Sequence, residues 1–87
     1  MKVQNMQSAR GNDVPNQFII NMKGKTFFQS YDSTIAMKDK NGNVTLDKNT
    51  WDYSTTTGKY RNQFLDEGIA ATRKKIASGE YKMKNLN

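Results

Sequence analysis

Alternating apolar and polar residues in the first half of the chain predict a series of short β-strands. Phe18, Ile20 and Met22 fall on one face at a period of two residues, and residues 26–31 resume the alternation. Further strands are predicted at 34–38 and 44–46. Residues 51–53 could add a fifth short strand, so we expect four strands, give or take one.

The breaks between these segments carry residues that favour tight turns. Lys23-Gly24 predicts a type I′ hairpin, because glycine adopts a positive φ without steric cost. Asp32-Ser33 marks the next turn, and Asn41-Gly42 is the strongest hairpin signal in the chain. This succession of turns predicts an antiparallel meander.

The apolar period changes to that of a helix from about residue 57 to residue 78. The stripe that should face the sheet consists of Leu65, Ile69, Thr72 and Ile76. Gly79 suits the left-handed residue that ends a helix, whereas Gly68 would lie inside the helix at a cost of up to about 1 kcal/mol. The predicted fold is therefore α+β, an antiparallel meander of about four strands with one C-terminal helix packed on one face.

Length and charge predict one domain with two polar ends. The 87 residues supply apolar side chains for a single core, which we place at residues 17–79. Residues 1–16 are expected to form a flexible arm or a short edge strand from Lys2 to Met6, and residues 80–87 a basic tail.

The net charge is +6, and residues 54–87 carry +4 of it, from seven basic and three acidic residues. This bias favours acidic partners, although a solvated helix face explains it equally well.

Several classes of function are excluded or disfavoured by composition. The chain has no Cys and no His, which removes disulfides, thiolate nucleophiles, imidazole bases and the usual zinc ligands. Asp32, Asp47 and Asp52 lie in or beside predicted loops, where turn and cap roles explain them. We expect no enzyme, no cofactor and no metal, with an Asp-based metalloenzyme as a remote alternative. Without a membrane-spanning segment or a signal peptide, a cytoplasmic location is expected.

The strongest candidate site is a strand-to-helix junction around residues 54–61. Its hydroxyl side chains can cap a helix by accepting hydrogen bonds from the first free backbone N–H groups. The same N–H groups and nearby cations could hold a phosphate or carboxylate, so both interpretations stay open. The predicted anion- or partner-binding residues are Ser54, Thr55, Thr56, Thr57, Lys59, Arg61, Arg73, Lys74 and Lys75.

Aromatic residues interleaved with lysine on the strands are a second indication of binding. Bases stack on exposed rings while cations contact phosphates. One helix covers only one face of a sheet, so aromatic side chains on the other face must be exposed or covered by the arm or a partner. The surface candidates are Phe27, Phe28, Tyr31, Trp51 and Tyr53.

Two spaced motifs occur in the middle of the chain. SYD-x-x-IA runs from Ser30 to Ala36, and YS-x-TT-x-K-[HY]-x-N runs from Tyr53 to Asn62. Over about residues 17–65 the chain resembles a family of small proteins of unknown function that are encoded by bacteriophages and mobile elements. The resemblance implies a phage or prophage accessory protein produced in an infected bacterium.

Two hypotheses about function follow from the residues and the resemblance together. The first is a non-enzymatic accessory protein that binds, and could inhibit, a host nucleic-acid-handling or defence protein such as a nuclease complex. The alternative is a small basic protein that binds DNA or RNA directly with weak sequence specificity. Neither hypothesis involves a membrane.

Overall fold

Six strands form a single sheet and two helices lie against one of its faces. The computed structural model describes all residues from 1 to 87. The strands are β1 (Lys2–Gln7), β2 (Asp13–Met22), β3 (Lys25–Ser30), β4 (Ser33–Lys38), β5 (Val44–Asp47) and β6 (Lys82–Lys84). The helices, α1 (Thr55–Leu65) and α2 (Ile69–Ser78), connect β5 to β6. The strands follow one another across the sheet in chain order, antiparallel from β1 to β5, with β6 parallel to β5.

The α+β class and the antiparallel meander are confirmed, but the prediction of about four strands was too low. The first additional strand is β1, which pairs with β2 from Lys2 to Gln7. Of the two expectations for the N-terminal segment, a flexible arm or a short edge strand, the structure shows the edge strand. The second, β6, is only three residues long and forms by lying beside β5. Residues 51–53 are not a strand, because the chain turns there after the Trp51 N–H donates to the Asp47 carbonyl.

The single predicted helix is broken into two at residues 66–68. Asp66 adopts a left-handed conformation with φ 57°, and its N–H donates to the Asn62 carbonyl to end α1. Gly68 is extended and starts α2 as its N-cap, so it does not lie inside a helix. The intervening Glu67 carboxylate accepts hydrogen bonds from Thr72, Lys75 and Tyr81, which holds the corner together. Three of the four residues of the predicted stripe face inward, because Leu65 and Thr72 are buried and Ile76 packs against the core. The fourth, Ile69, is half-buried and lines an open concavity beside the 52–54 turn.

The core lies between the helices and one face of the sheet. Phe28 on β3 is fully buried and stacks on Phe64 of α1, with ring centroids 5.8 Å apart. Side chains that register with Phe28 across neighbouring strands, Ile19, Ala36 and Leu46, point to the same face. Because successive residues of a strand alternate between faces, the next row must point away from the helices.

Two predicted turn signals are confirmed by backbone angles. Lys23 and Gly24 have φ values of 52° and 79°, as a type I′ hairpin requires. Gly79 has φ 84° and ends α2. Tyr31, between β3 and β4, also has a positive φ of 55°, and its N–H donates to the Asn16 carbonyl at 2.7 Å.

The C-terminal residues are tied to the sheet beyond β6. The Leu86 N–H donates to the Asp47 carboxylate at 2.8 Å, and the Asn87 amide bonds with the backbone of Thr34. Burial of Asp47 opposes its ionisation, but hydrogen bonds from Leu86, Thr50 and Asn49 outweigh that effect and lower the pKa of Asp47. Residues 80–87 are therefore part of the folded unit.

Candidate interaction surfaces

The hydroxyl residues before α1 divide into two that hold the fold and two that face solvent. Ser54 is the N-cap, and its Oγ accepts a hydrogen bond from the Thr57 N–H at 3.1 Å. The Thr57 hydroxyl is fully buried and shares a 2.9 Å hydrogen bond with the Ser30 hydroxyl. Thr55 and Thr56 are exposed. The capping interpretation is confirmed for Ser54, and Thr55 and Thr56 make no hydrogen bond to another side chain.

The hydrogen bond between Ser30 and Thr57 also joins the two sequence motifs. Ser30 begins the first motif at the end of β3, and Thr57 lies in the second motif, 27 residues later. Ile35 and Ala36, which close the first motif, are fully buried in the core. The two motifs therefore describe the contact between the sheet and the start of α1.

Arg61 was predicted as a ligand-binding cation, and its surroundings contradict that prediction. Its side chain is only 2% exposed. Its guanidinium donates to the Trp51 carbonyl at 2.8 Å, to the Asp52 carboxylate at 2.9 Å and to the Asn62 side-chain oxygen at 3.0 Å. Arg61 fastens the 51–52 turn to α1, so it is not available for a phosphate or a partner.

Trp51 and Asp52 each bridge two arginines. The Trp51 ring lies 5.4 Å from the Arg61 guanidinium and 5.8 Å from that of Arg73 on α2. Asp52 forms a second ion pair with Arg73 at 3.1 Å. The Arg73 side chain nevertheless remains 63% exposed. This cluster holds α1 and α2 to the turn and leaves Arg73 as its one exposed cation.

Lys75 also has an internal partner, so its role as a ligand-binding residue stays a prediction. Its Nζ lies 2.6 Å from the Glu67 carboxylate, and that hydrogen bond raises the pKa of Lys75. Burial opposes ionisation of Glu67, but hydrogen bonds from Lys75, Thr72 and Tyr81 outweigh it and lower the pKa of Glu67. Lys59 and Lys74 are exposed and make no ion pair. The exposed cations of the predicted site are therefore Lys59, Arg73 and Lys74.

The five aromatic candidates occupy different environments. Phe28 is in the core, so its prediction as a surface residue is wrong; β3 has to direct one of its two adjacent phenylalanines at the helices. Trp51 is half-buried between the arginines. Tyr31 and Tyr53 are 48% and 49% exposed in turns. Phe27 alone lies on a strand with its ring on the face away from the helices.

The face of the sheet away from the helices carries a row of apolar side chains, which we call the open face. In register from β1 to β4 the row consists of Val3, Ile20, Phe27 and Met37. Phe18 and Met22 lie beside Ile20 on the same side of β2. Val3 is 52% and Met22 39% exposed, and the others are half-buried. Sequence reasoning placed Phe18, Ile20 and Met22 on one face but did not identify Val3 and Met37 as their neighbours.

Three lysines lie beside the apolar row of the open face. Lys25 precedes Phe27 by two residues on β3, and Lys82 on β6 lies in register beyond Thr45. Lys84, two residues later on β6, points to the same side. Lys82 and Lys84 are exposed. Asp39 and Glu80 line the same concavity as these three lysines, so the open face combines an apolar centre with a charged border in which lysines outnumber acidic residues.

Other features of the molecule do not add a chemical site. No group of three or more acidic side chains comes together that could hold a metal ion. No helix is long and apolar enough to cross a membrane. The largest concavity is a groove of about 700 Å³ between β1 and α1, open to solvent, and several amide side chains contribute to its lining.

Comparison with known proteins gives a family but no activity. The sequence model of a family of unknown function (DUF8033) matches residues 1–82. The matched range includes both motifs, both helices and five complete strands. No curated protein and no solved structure matches the chain.

Proposed function

The chain belongs to DUF8033, a family of unknown function, and from that premise we propose that it is a non-enzymatic binding protein whose open face docks on a partner protein. The observation that carries the proposal is the uncovered apolar row Val3, Ile20, Phe27 and Met37. A contiguous apolar surface with a polar border is typical of an interaction site. The row crosses four strands, or about 14 Å at the usual strand spacing.

The side chains of the row favour a protein over a nucleic acid. Bases stack on flat aromatic rings, and each unstacked base needs a ring of its own. Phe18 and Phe27 supply rings, but Val3, Ile20 and Met37 are aliphatic, and flexible methionine adapts to the irregular surface of a protein. An apolar centre with a charged border is the usual anatomy of a protein interface.

The lysines on the border of the open face also indicate the charge of the partner surface. Lys25, Lys82 and Lys84 would speed association with an acidic surface and repel a basic one. If the partner handles nucleic acid, its own nucleic-acid channel is basic and would repel this border. We therefore expect docking on an acidic face beside or behind such a channel, and inhibition by blocking assembly or movement.

The phage-type resemblance supplies the cellular setting of the proposal. A small accessory protein without catalytic groups acts stoichiometrically on a host component, and a host defence or nucleic-acid-handling protein such as a nuclease complex is the target class we propose. Fold-level or class-level analogy does not identify the target. The open face fixes the chemistry that the target must present.

Direct nucleic-acid binding is the second candidate, and the observation in its favour is the exposed group Lys59, Arg73 and Lys74 on the helices. Three cations give a weaker site than the five predicted, because Arg61 and Lys75 are held internally. Binding through three phosphate contacts should fall by roughly tenfold to fiftyfold between 50 and 200 mM salt. A mobility-shift assay with single- and double-stranded DNA and RNA at low salt measures this directly.

A capture experiment with paired variants tests the leading proposal. Tagged protein is incubated with nuclease-treated lysate of a bacterial host, washed at high salt, and its bound proteins are identified. Phe27→Ser removes a ring from the open face, and Tyr53→Ser removes one from the junction as a matched control. We expect wild type and Tyr53→Ser to retain the same acidic-surfaced protein and Phe27→Ser to retain at least tenfold less.

The contrary results are equally specific. Equal retention by Phe27→Ser and wild type, with circular dichroism showing that both are folded, would remove the open face from the proposal. If protein is retained only from lysate that has not been treated with nuclease, the retention depends on nucleic acid. Together with a salt-sensitive mobility shift that Lys59→Ala weakens, that result would favour the nucleic-acid alternative.

A further inference from the structure

The two edges of the sheet differ in their protection against pairing with another strand. At one edge β6 is three residues long and carries Lys82 and Lys84. A short strand with charged side chains is a common way to prevent edge-to-edge association. At the other edge β1 is six residues long, and its one charged residue is Lys2 at its start. No helix or loop pairs with its outer side, so β1 is an unprotected edge.

The backbone of β1 is free over a defined stretch. Apart from its pairing with β2, the backbone of the strand makes one other contact, in which the Gln63 side chain donates to the Gln7 carbonyl at 2.9 Å. The outer N–H and C=O groups from Lys2 to Met6 have no partner in the chain. The midpoint of that free stretch is Gln4.

We propose that this edge pairs with the same edge of a second copy, antiparallel and about a twofold axis at Gln4. Directly opposed residues in a sheet point to the same face, so the sum of the two residue numbers must be even. Centring on Gln4 satisfies this rule and uses all of the free stretch. It places Gln4 opposite Gln4, Val3 opposite Asn5, and Lys2 opposite Met6 of the second copy.

The side chains brought together by this register are compatible. The amides of two Gln4 residues can each donate and accept a hydrogen bond. Lys2 would lie over Met6 of the second copy, beside the groove between β1 and α1, which is lined by Phe64, Asp13 and Gln63 among others. Its methylene stem can pack on Met6 and Phe64 while its ammonium approaches Asp13. The two Lys2 residues stay at opposite ends of the paired stretch and do not face each other. Lys38 also lines the groove, where its ammonium donates to the Phe64 carbonyl.

This complementarity favours a second copy over an unrelated strand. A twofold contact requires a surface that complements itself, and here Lys2 at one end of the edge approaches Asp13 at the start of β2 in its copy. The groove also adds side-chain burial to the backbone hydrogen bonds. A contact of about five paired residues a side is small for a stable dimer, so we expect association in the micromolar range.

The dimer would join the open faces of two copies into one larger surface. The dimer proposal does not rest on the proposed function. Two six-stranded sheets joined at β1 form one sheet of twelve strands, with all four helices on one side. Val3 of each copy would then lie at the centre of a surface that includes both apolar rows. One dimer would present two open faces, so a partner with two equivalent surfaces would bind it more tightly than a monomer.

Charged substitutions of Gln4, the residue at the twofold axis, test the dimer proposal. The full chain has a mass of 10.0 kDa, so light scattering or sedimentation equilibrium distinguishes monomer from dimer. Wild type should approach the dimer mass as its concentration rises to about 200 µM. Gln4→Lys and Gln4→Glu each place like charges opposite one another and should weaken the dimer by roughly twofold to fivefold. An equal mixture of the two variants should restore it, because the introduced lysine of one chain then meets the introduced glutamate of the other.

Matched controls and contrary results make the outcome decisive. Ala77→Lys and Ala77→Glu make the same charge changes on an exposed position of α2 and should leave the dimer unchanged. Circular dichroism checks that every variant is folded. A wild type that stays monomeric at about 200 µM, unchanged dimerisation of both Gln4 variants, or a mixture that fails to associate would each overturn the proposal. None of these results alters the expected effect of Phe27→Ser on capture, so the two proposals fail separately.

Discussion

Removal of the Arg61 side chain should destabilise the protein strongly, although a basic residue in the middle of a helix is ordinarily replaceable. Arg61→Ala deletes three hydrogen bonds and the contact with the Trp51 ring. The Trp51 carbonyl loses a donor, which costs about 1–3 kcal/mol when the group stays buried. The cation–π contact adds about 0.5–2 kcal/mol. Asp52 is 34% exposed, so water can replace part of its lost partner.

These contributions overlap, and we expect a net loss of about 2–4 kcal/mol in the free energy of unfolding. For a chain of this size, that corresponds to a decrease in melting temperature of roughly 10–30 °C. Lys59→Ala is the matched control, since Lys59 is a nearby exposed cation without an ion pair. Its effect should stay within about 0.5 kcal/mol.

The assay is denaturant unfolding followed by fluorescence and by circular dichroism. Trp51 is the only tryptophan, so its emission reports on the Arg61 cluster while circular dichroism reports on the whole fold. Arg61→Ala should shift both transitions together to lower denaturant concentration. If Arg61→Ala is as stable as Lys59→Ala, Arg61 does not hold the turn to α1, and it would again be a candidate ligand-binding residue.

The other predictions concern buried polar groups and the N-cap. Gln17 is fully buried and neither of its amide atoms has a hydrogen-bond partner, so Gln17→Met should raise the free energy of unfolding by about 1–2 kcal/mol in denaturant titrations. The pKa of Glu67 is lowered on folding, so the unfolded state binds protons more readily. The stability that Glu67 contributes is complete above its ordinary pKa and is lost as the pH falls through the lowered value. Unfolding titrations should therefore show a shallower loss of stability below about pH 4.5 in Glu67→Gln than in wild type. Ser54→Ala should cost about 0.5–2 kcal/mol by thermal unfolding, whereas Thr56→Ala should cost less than about 0.5 kcal/mol.

The parts of the fold that could be predicted from sequence are those set by local chemistry. Lys23-Gly24 forms the expected turn because its dihedral angles depend on those two residues. Ser54 caps α1 and Gly79 ends α2 for the same reason. The alternation of Phe18, Ile20 and Met22 correctly predicted a strand with two different faces.

The features that could not be predicted depend on contacts between distant residues. The corner at Gly68 is held by Glu67, whose partner Tyr81 lies 14 residues away, and the apolar stripe runs through the corner without a break. Most β1 side chains are polar and exposed, so only the pairing with β2 makes that segment a strand. Alternation identifies the two faces of a sheet, but only packing decides that Phe28 faces the helices and Phe27 faces solvent.

Arg61 illustrates the same limit at the candidate site. A cation among hydroxyl residues resembles an anion site in sequence, because the acceptors that bury it are not evident there. One of these acceptors is the backbone carbonyl of Trp51, and another is Asp52, nine residues before it. The hydroxyls of Ser54 and Thr57 likewise have partners within the fold.

Site-specific photo-crosslinking tests the central claim, that the open face meets a partner protein, most directly. A photoreactive benzoyl-phenylalanine is placed at Phe27 in one protein and at Tyr53 in another, and each is irradiated in living bacterial host cells. We predict a covalent adduct with one host protein from the Phe27 position and none from the Tyr53 position. Adducts from Tyr53 alone, or adducts from Phe27 only with nucleic acid, would contradict the account.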